Sequence, residues 1–343
     1  MNMIFYRKLP IPQDIKASYP LSENAVQMRD AQLKEMKDIL SGISNKWLIV
    51  VGPCSADDPD AVMVYLERLA RLREQVGDKL LLVPRIYTNK PRTKGDGYMG
   101  MLHQPDPSEA PDLLKGIVAI RKLHMRALEE TGFAAADELL YPEDHRYLSD
   151  ILSYVAIGAR SVEDQQHRLV ASGLDIPVGM KNPTGGSLQV MLNSILAAQH
   201  GHMFLYRGWE VESQGNPFAH GVLRGEVDRY GVYHPNYDTD TLLSLSLMYM
   251  ASGAKHPAIL VDTNHANSGK AWEKQVDIAK AVMASHHAHT DVATLVKGLM
   301  IESYLEDGAC APGEAHPFGQ SITDPCLGWK KTEKLLLELA DSL

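Results

Sequence analysis

Short apolar runs alternate with amphipathic stretches along most of the chain. The runs occupy residues 47–51, 80–86, 133–137, 154–159, 177–181, 203–206, 258–261 and 296–301. Each is too short for a typical helix and close to continuously apolar, as expected of a strand buried on both faces of a parallel sheet. Between most of them lie stretches with helical spacing, among them 61–75, 112–131 and 272–284. Strand–helix alternation predicts an α/β fold. Eight such units over about 300 residues predict a (β/α)8 TIM barrel rather than a doubly wound sheet.

Two intervals depart from the alternation. Residues 1–45 form a polar, proline-punctuated start and then a helix, with Ser22 or Asn24 as its cap and Ala25, Met28, Leu33, Met36 and Leu40 at helical spacing. They are expected to be an N-terminal extension, leaving 46–343 as the barrel catalytic domain. Residues 207–240 contain no helical pattern, many Gly and Pro, and one short apolar run near 220–223. With 203–206 taken as the sixth strand, this predicts a β-hairpin insertion after strand six.

A chain of 343 residues, 45% hydrophobic, has ample material for one large core. Its net charge is −9, and the dense basic face that a duplex-binding protein needs is not visible in the sequence. No run of 18 apolar residues predicts a membrane span, and the apolar run at the N-terminus is too short for a signal-peptide core. Three cysteines, Cys54, Cys310 and Cys326, are an odd and sparse set that suits a reducing compartment, so a cytoplasmic location is expected.

The chemistry gathers where the predicted strands end. The runs lead into Gly-Pro-Cys-Ser (52–55), Arg85 with Lys-Pro-Arg-Thr (90–93), Asp137-Glu138, Gly-Ala-Arg (158–160), Lys-Asn-Pro-Thr (181–184), Asp-Thr-Asn-His (262–265) and Glu302, with Ser-Ile-Thr-Asp (321–324) in the last loop. A barrel carries its active site at this end of its strands, whereas charges placed for solubility would sit on the helices. Two groups stand out. Cys54, His265, Glu302 and Asp324 offer a thiolate, an imidazole and two carboxylates, a donor set for one divalent transition metal such as Mn, Fe, Co or Zn. The bland alternative is a small buried thiol and a core or general-base histidine. Arg85, Lys90, Arg92, Arg160, Lys181 and Arg224 would repel one another at one barrel mouth unless a multiply anionic ligand sat among them. Pairing with surface carboxylates accounts for any one of these cations but poorly for all of them.

At these residues the sequence resembles the microbial type I DAHP synthases. The resemblance is carried by Gly-Pro-Cys-Ser (52–55), Arg-Ile-Tyr with Lys-Pro-Arg-Thr (85–93), Ala-Ile-Gly-Ala-Arg (156–160), Pro-Val-Gly-Met-Lys-Asn (177–182), Val-Leu-Arg-Gly (222–225), Asp-Thr-Asn-His-Ala-Asn-Ser (262–268) and Ser-Ile-Thr-Asp-Pro-Cys-Leu-Gly-Trp (321–329). It implies condensation of phosphoenolpyruvate with erythrose 4-phosphate, the first step of the shikimate pathway. It further implies that Cys54, His265, Glu302 and Asp324 bind the metal, and that Arg160, Lys181 and Arg224 hold the phosphate of phosphoenolpyruvate. Arg85 and Lys90 would hold its carboxylate, and Arg92 and Thr93 would meet the erythrose phosphate. Lys90, Glu138 and His265 are the implied catalytic groups, with Lys90 as proton donor and Glu138 lining the site. A homodimer or homotetramer is implied, with the extension contributing contacts.

Regulated relatives bind an aromatic amino acid in a separate cavity. Leu174 and Phe204 match its apolar lining, but Asp175 and Tyr206 stand where serine is expected, which points to an insensitive or differently regulated form. The rival readings are 3-deoxy-manno-octulosonate 8-phosphate synthase, a silent barrel serving as a regulatory partner, and a metal-dependent aldolase that does not use phosphoenolpyruvate. The Lys-Pro-Arg-Thr motif favours the four-carbon sugar phosphate by resemblance.

Overall fold

The computed structural model describes residues 2–92, 97–310 and 316–343. Its strands are β1 (Trp47–Gly52), β2 (Leu80–Pro84), β3 (Ala136–Glu138), β4 (Tyr154–Ile157), β5 (Val178–Lys181), β6 (Met203–Tyr206), β7 (Trp209–Glu212), β8 (Ala219–Leu223), β9 (Glu226–Val227), β10 (Tyr233–His234), β11 (Ile259–Asp262) and β12 (Val296–Glu302). Eight of them form one parallel sheet in the order β2-β1-β12-β11-β8-β5-β4-β3. A bridge between Arg85 and Ala136, with Ile86 N–H donating to Ala136 O at 2.9 Å, closes the two ends into a barrel.

The period of two along each strand divides the core. Leu48, Val50, Leu81, Val83, Ala136, Tyr154, Ala156, Val222, Leu260 and Met300 fill the barrel interior. Trp47, Ile49, Val51, Leu80 and Leu82 face outward and pack in the layer that includes the surrounding helices. Helix Glu23–Leu40 is capped by Ser22, whose hydroxyl accepts from Ala25 N–H at 3.1 Å. Its last turns deliver Met36, Ile39 and Leu40 into the interior cluster, so this helix plugs the end of the barrel opposite the polar strand tips.

The sixth barrel strand corrects the sequence reading. Met203–Tyr206 is not in the barrel: it pairs antiparallel with Trp209–Glu212 in a hairpin that comes before the sixth strand, with Met203 and Leu205 exposed. The barrel strand is β8, fully buried between β5 and β11. His220 inside it exchanges a hydrogen bond with Tyr154 Oη at 3.0 Å and reaches Phe218 O at 2.9 Å. Burial lowers its pKa to about 4, so it is neutral in the core. A second, shorter hairpin, β9–β10, does follow the sixth strand.

Register then aligns the strand tips. Gly52 pairs with Glu302 and Val51 with Pro84; Glu138 pairs with Ala156, and Lys181 with Val222. Residues just beyond these pairs are thereby carried to one rim. Among the described residues no helix is long and apolar enough to cross a membrane.

Candidate active site

The rim encloses a cavity of about 430 Å³. Cys54, Arg85, Lys90, Arg92, Glu138, Arg160, Lys181, Arg224, His265, Glu302 and Asp324 all line it, so the barrel brings the predicted residues together from most of its strand ends. Thr93 lies outside the described residues.

On one wall, the Cys54 sulfur and carboxylate oxygens of Glu302 and Asp324 lie within 4.8 Å of one another. His265, three residues past β11, stands beside this trio but not within its 4.8 Å spacing: its Nε2 is 3.8 Å from Glu302 Oε1, and its Nδ1 is 2.8 Å from Asp262 Oδ2. Its backbone sits at φ 50°, a left-handed conformation that costs a non-glycine residue on the order of 1 kcal/mol and is met most often at functional sites. Three of the four donors have an outer partner. Asp262 faces His265, Asn264 Nδ2 donates to Glu302 Oε2 at 2.6 Å, and Lys270 pairs with Asp324 Oδ1 at 3.0 Å. Sulfur, imidazole and two carboxylates with oriented outer partners fit a divalent transition metal.

Charge in this wall is tightly compensated. Burial pushes the Cys54 thiol up to about 11, with Glu302 adding to the effect and Lys90 opposing it. Lys90 Nζ lies 2.6 Å from Cys54 Sγ and 3.1 Å from Asp324 Oδ2. Burial works against the lysine's charge, but Cys54, Asp324 and Glu302 outweigh it and raise its pKa above the ordinary lysine range. Burial likewise opposes the Asp262 carboxylate, yet His265 and Lys181 hold it well below its usual range.

The cations interleave with these donors around the cavity. Arg85, 1% exposed, donates to Glu302 Oε1 at 3.0 Å and stacks on Tyr87 at 4.0 Å, while its Nη1 has no partner. Lys181 pairs with Asp262 Oδ2 at 3.2 Å. Arg224 Nη1 is buried without a hydrogen bond. Burial depresses the Arg224 pKa, and the charge of Arg160 depresses it further against the pull of Asp262. Arg85, Lys90 and Lys181 therefore pair within the site, not at the surface, and unsatisfied guanidinium donors are left for an incoming anion. Buried pairs of this kind are poor stabilisers; leaving one charge without its partner costs roughly 3–5 kcal/mol. Their presence argues for function.

Glu138 is placed by its neighbour. A Cβ on Gly158 would meet Glu138 Oε1 at 2.3 Å, so the carboxylate occupies space that only glycine leaves free. The gap is what brings this acid to the cavity lining.

Residues 21–337 match the profile of the DAHP synthetase I family. The chain belongs to that family. It is 36% identical, over 98% of its own length and 93% of the relative's, to the phospho-2-dehydro-3-deoxyheptonate aldolase of Escherichia coli (strain K12) named Tyr-sensitive. The enzyme of the same strain named Phe-sensitive is also 36% identical, over 98% of this chain and 95% of that protein. Among solved structures, the phospho-2-dehydro-3-deoxyheptonate aldolase from Francisella tularensis SCHU S4 superposes with a TM-score of 0.92 at 28% identity, covering 99% of this chain and 98% of that one.

Within this DAHP synthetase family member, sequence reading left several site residues unassigned. Asp262, Asn264 and Lys270 hold the donor wall, and Tyr87 backs Arg85. The available signal was position: Asp262 and Asn264 stand in the same four-residue motif as His265. A second cavity, of about 540 Å³, lies outside the barrel mouth and is lined by Leu174, Asp175, Phe204, Tyr206 and Ser213 among others. The residues expected at a separate cavity do meet there, and the β6–β7 hairpin forms one side of it.

Proposed function

We propose that the chain condenses phosphoenolpyruvate with erythrose 4-phosphate and water to give 3-deoxy-D-arabino-heptulosonate 7-phosphate and phosphate. The observation that carries this reading is the meeting, in one cavity, of a thiol–carboxylate donor group with a cluster of cations in which Arg85 and Arg224 each keep a buried guanidinium nitrogen without a hydrogen bond. Cys54, His265, Glu302 and Asp324 would hold one divalent ion (Mn, Fe, Co or Zn), which when bound supplies Lewis-acid polarisation of the aldehyde.

The chain's own groups do the rest. Arg160, Lys181 and Arg224 bind the phosphate of phosphoenolpyruvate, and Arg85 with Lys90 its carboxylate, holding together anions that repel in solution. Arg92, with Thr93, receives the erythrose phosphate. As C3 of phosphoenolpyruvate attacks the aldehyde carbon, Lys90, kept protonated by its anionic neighbours, gives its proton to the developing alkoxide. Glu138 orients the water that adds at C2, after which C–O cleavage releases phosphate.

Consumption of phosphoenolpyruvate tests this directly. Loss of its absorbance with erythrose 4-phosphate, abolished by EDTA and restored by Mn²⁺, is the expected result. Turnover with arabinose 5-phosphate instead would move the assignment to the octulosonate synthase reaction. No turnover with either sugar by metal-loaded protein would support the silent-barrel reading.

Regulation and assembly belong to the same reading. Asp175 and Tyr206 place a carboxylate and a bulky phenol in the lining of the second cavity, which supports an enzyme insensitive to aromatic amino acids. In the same assay, Phe, Tyr and Trp at low millimolar concentration are expected to leave the rate unchanged; clear inhibition by any of them would refute insensitivity. The extension (1–45) before the barrel domain (46–343) exposes Ile4, Phe5 and Tyr6, which supports a role in a homodimer or homotetramer contact.

A further inference from the structure

We propose that Asp137, which does not line the cavity, is a positioning residue that sets the reach of Lys90 into it. The proposal rests on the reading of Lys90 as the proton donor. Asp137 sits at the barrel seam, 3% exposed, where β2 and β3 meet through a single bridge at Arg85–Ala136. Beyond that bridge the backbone ladder between these strands stops, and the Asp137 carboxylate takes its place. Oδ1 accepts from Thr88 N–H at 2.9 Å and from Glu138 N–H at 2.7 Å. Oδ2 accepts from the Thr88 hydroxyl.

One carboxylate is thus fixed to its own strand through Glu138 N–H and grips the neighbouring segment twice at Thr88, two residues before Lys90. The residue between is held as well: Asn89 Nδ2 donates to Asp144 Oδ2 at 2.7 Å. From the far side, Lys90 N–H donates to Met99 O at 3.1 Å. The segment 88–90 is therefore pinned residue by residue while the Lys90 side chain runs to Cys54 and Asp324. His124, fully buried, places Nε2 3.4 Å from Asp137 Oδ2, and the buried His145 also feels the charge of this carboxylate. Neither Asp137 nor His124 reaches the cavity. Asp137 reaches the reaction through the backbone it steadies: Thr88, two residues before Lys90, and the amide of Glu138, whose carboxylate is placed separately against Gly158.

A double-mutant cycle on the metal-loaded enzyme tests this. Because a displacement of about 1 Å at a reacting group can cost roughly 100-fold, Asp137→Ala is expected to lower kcat by roughly 10- to 100-fold. Bound metal should stay near wild type, and KM for phosphoenolpyruvate should rise less than kcat falls, because Arg85 still meets its carboxylate. Asp137→Asn keeps an acceptor for both backbone N–H groups and should recover most of the loss. In a Lys90→Met background, Asp137→Ala should cost no more than about threefold, because the group it positions is gone. A merely structural Asp137 would instead lower the melting temperature, leave kcat per folded, metal-loaded site unchanged, and act equally in both backgrounds. Either of the last two findings overturns the proposal. Should Asp137→Ala fail to fold, Thr88→Val removes only the hydroxyl contact: a loss in kcat that disappears in the Lys90→Met background supports positioning, and an unchanged kcat refutes it. A wild-type enzyme that consumes no phosphoenolpyruvate with erythrose 4-phosphate would instead sink the parent reading.

Discussion

Replacing Lys90 by methionine is expected to lower kcat by about 10²–10⁴-fold, the usual contribution of a positioned general acid. Methionine is one atom shorter but unbranched and keeps most of the volume of the side chain, so the wall should keep its shape. What disappears is the ammonium that lies against Cys54 Sγ at 2.6 Å and Asp324 Oδ2 at 3.1 Å. Taking a positive charge away from two donors does not weaken a cation's hold on them, so metal content should be at least that of the wild type. The two effects therefore separate: metal analysis near one ion per chain, and steady-state turnover close to background. Near-normal kcat in this variant would remove Lys90 from the proton-donor role.

Cys54→Ala is expected to give the converse result. Loss of an outer partner in metal sites typically costs about 10–100-fold in affinity, and loss of a donor should cost at least the upper end of that range. The variant should retain little metal after dialysis, show little activity, and recover part of it at high added Mn²⁺. The fold should survive, because the thiol is small and Gly52 and Glu302 remain paired beside it. A variant that binds metal as tightly as the wild type would exclude Cys54 from the donor set. Equilibrium dialysis with metal analysis distinguishes the two outcomes without reference to turnover.

Much of the barrel was legible because its strands are apolar on both faces and end in polar residues that no solubility argument explains. The sixth strand was not. Met-Phe-Leu-Tyr at 203–206 has the apolar density of a buried strand, while Ala-His-Gly-Val-Leu at 219–223 does not. The structure inverts that ranking. Met203 and Leu205 point into solvent, whereas His220 is buried at 1% exposure because Tyr154 and a backbone carbonyl satisfy its ring. Hydrophobicity cannot register a polar residue whose partners come from another strand. The same limit applies at the site. Which residues stand at the rim follows from strand order, but which charges pair does not. Asp262 serves both His265 and Lys181, and that arrangement depends on β5 and β11 flanking β8.

The barrel seam has a consequence for how the enzyme fails. Every other neighbouring pair of barrel strands shares a ladder of several residues, whereas β2 and β3 are joined by the Arg85–Ala136 bridge. Opening there breaks few backbone hydrogen bonds, so once the Asp137 and Asp144 contacts give way this seam is expected to open before the longer strand ladders. The amides of Ile86 and Thr88 should then exchange with deuterium well before those of β1 or β12. The segment released first is the one leading to Lys90. In rising denaturant, activity should fall at concentrations where the spectroscopic signal of the barrel is still native.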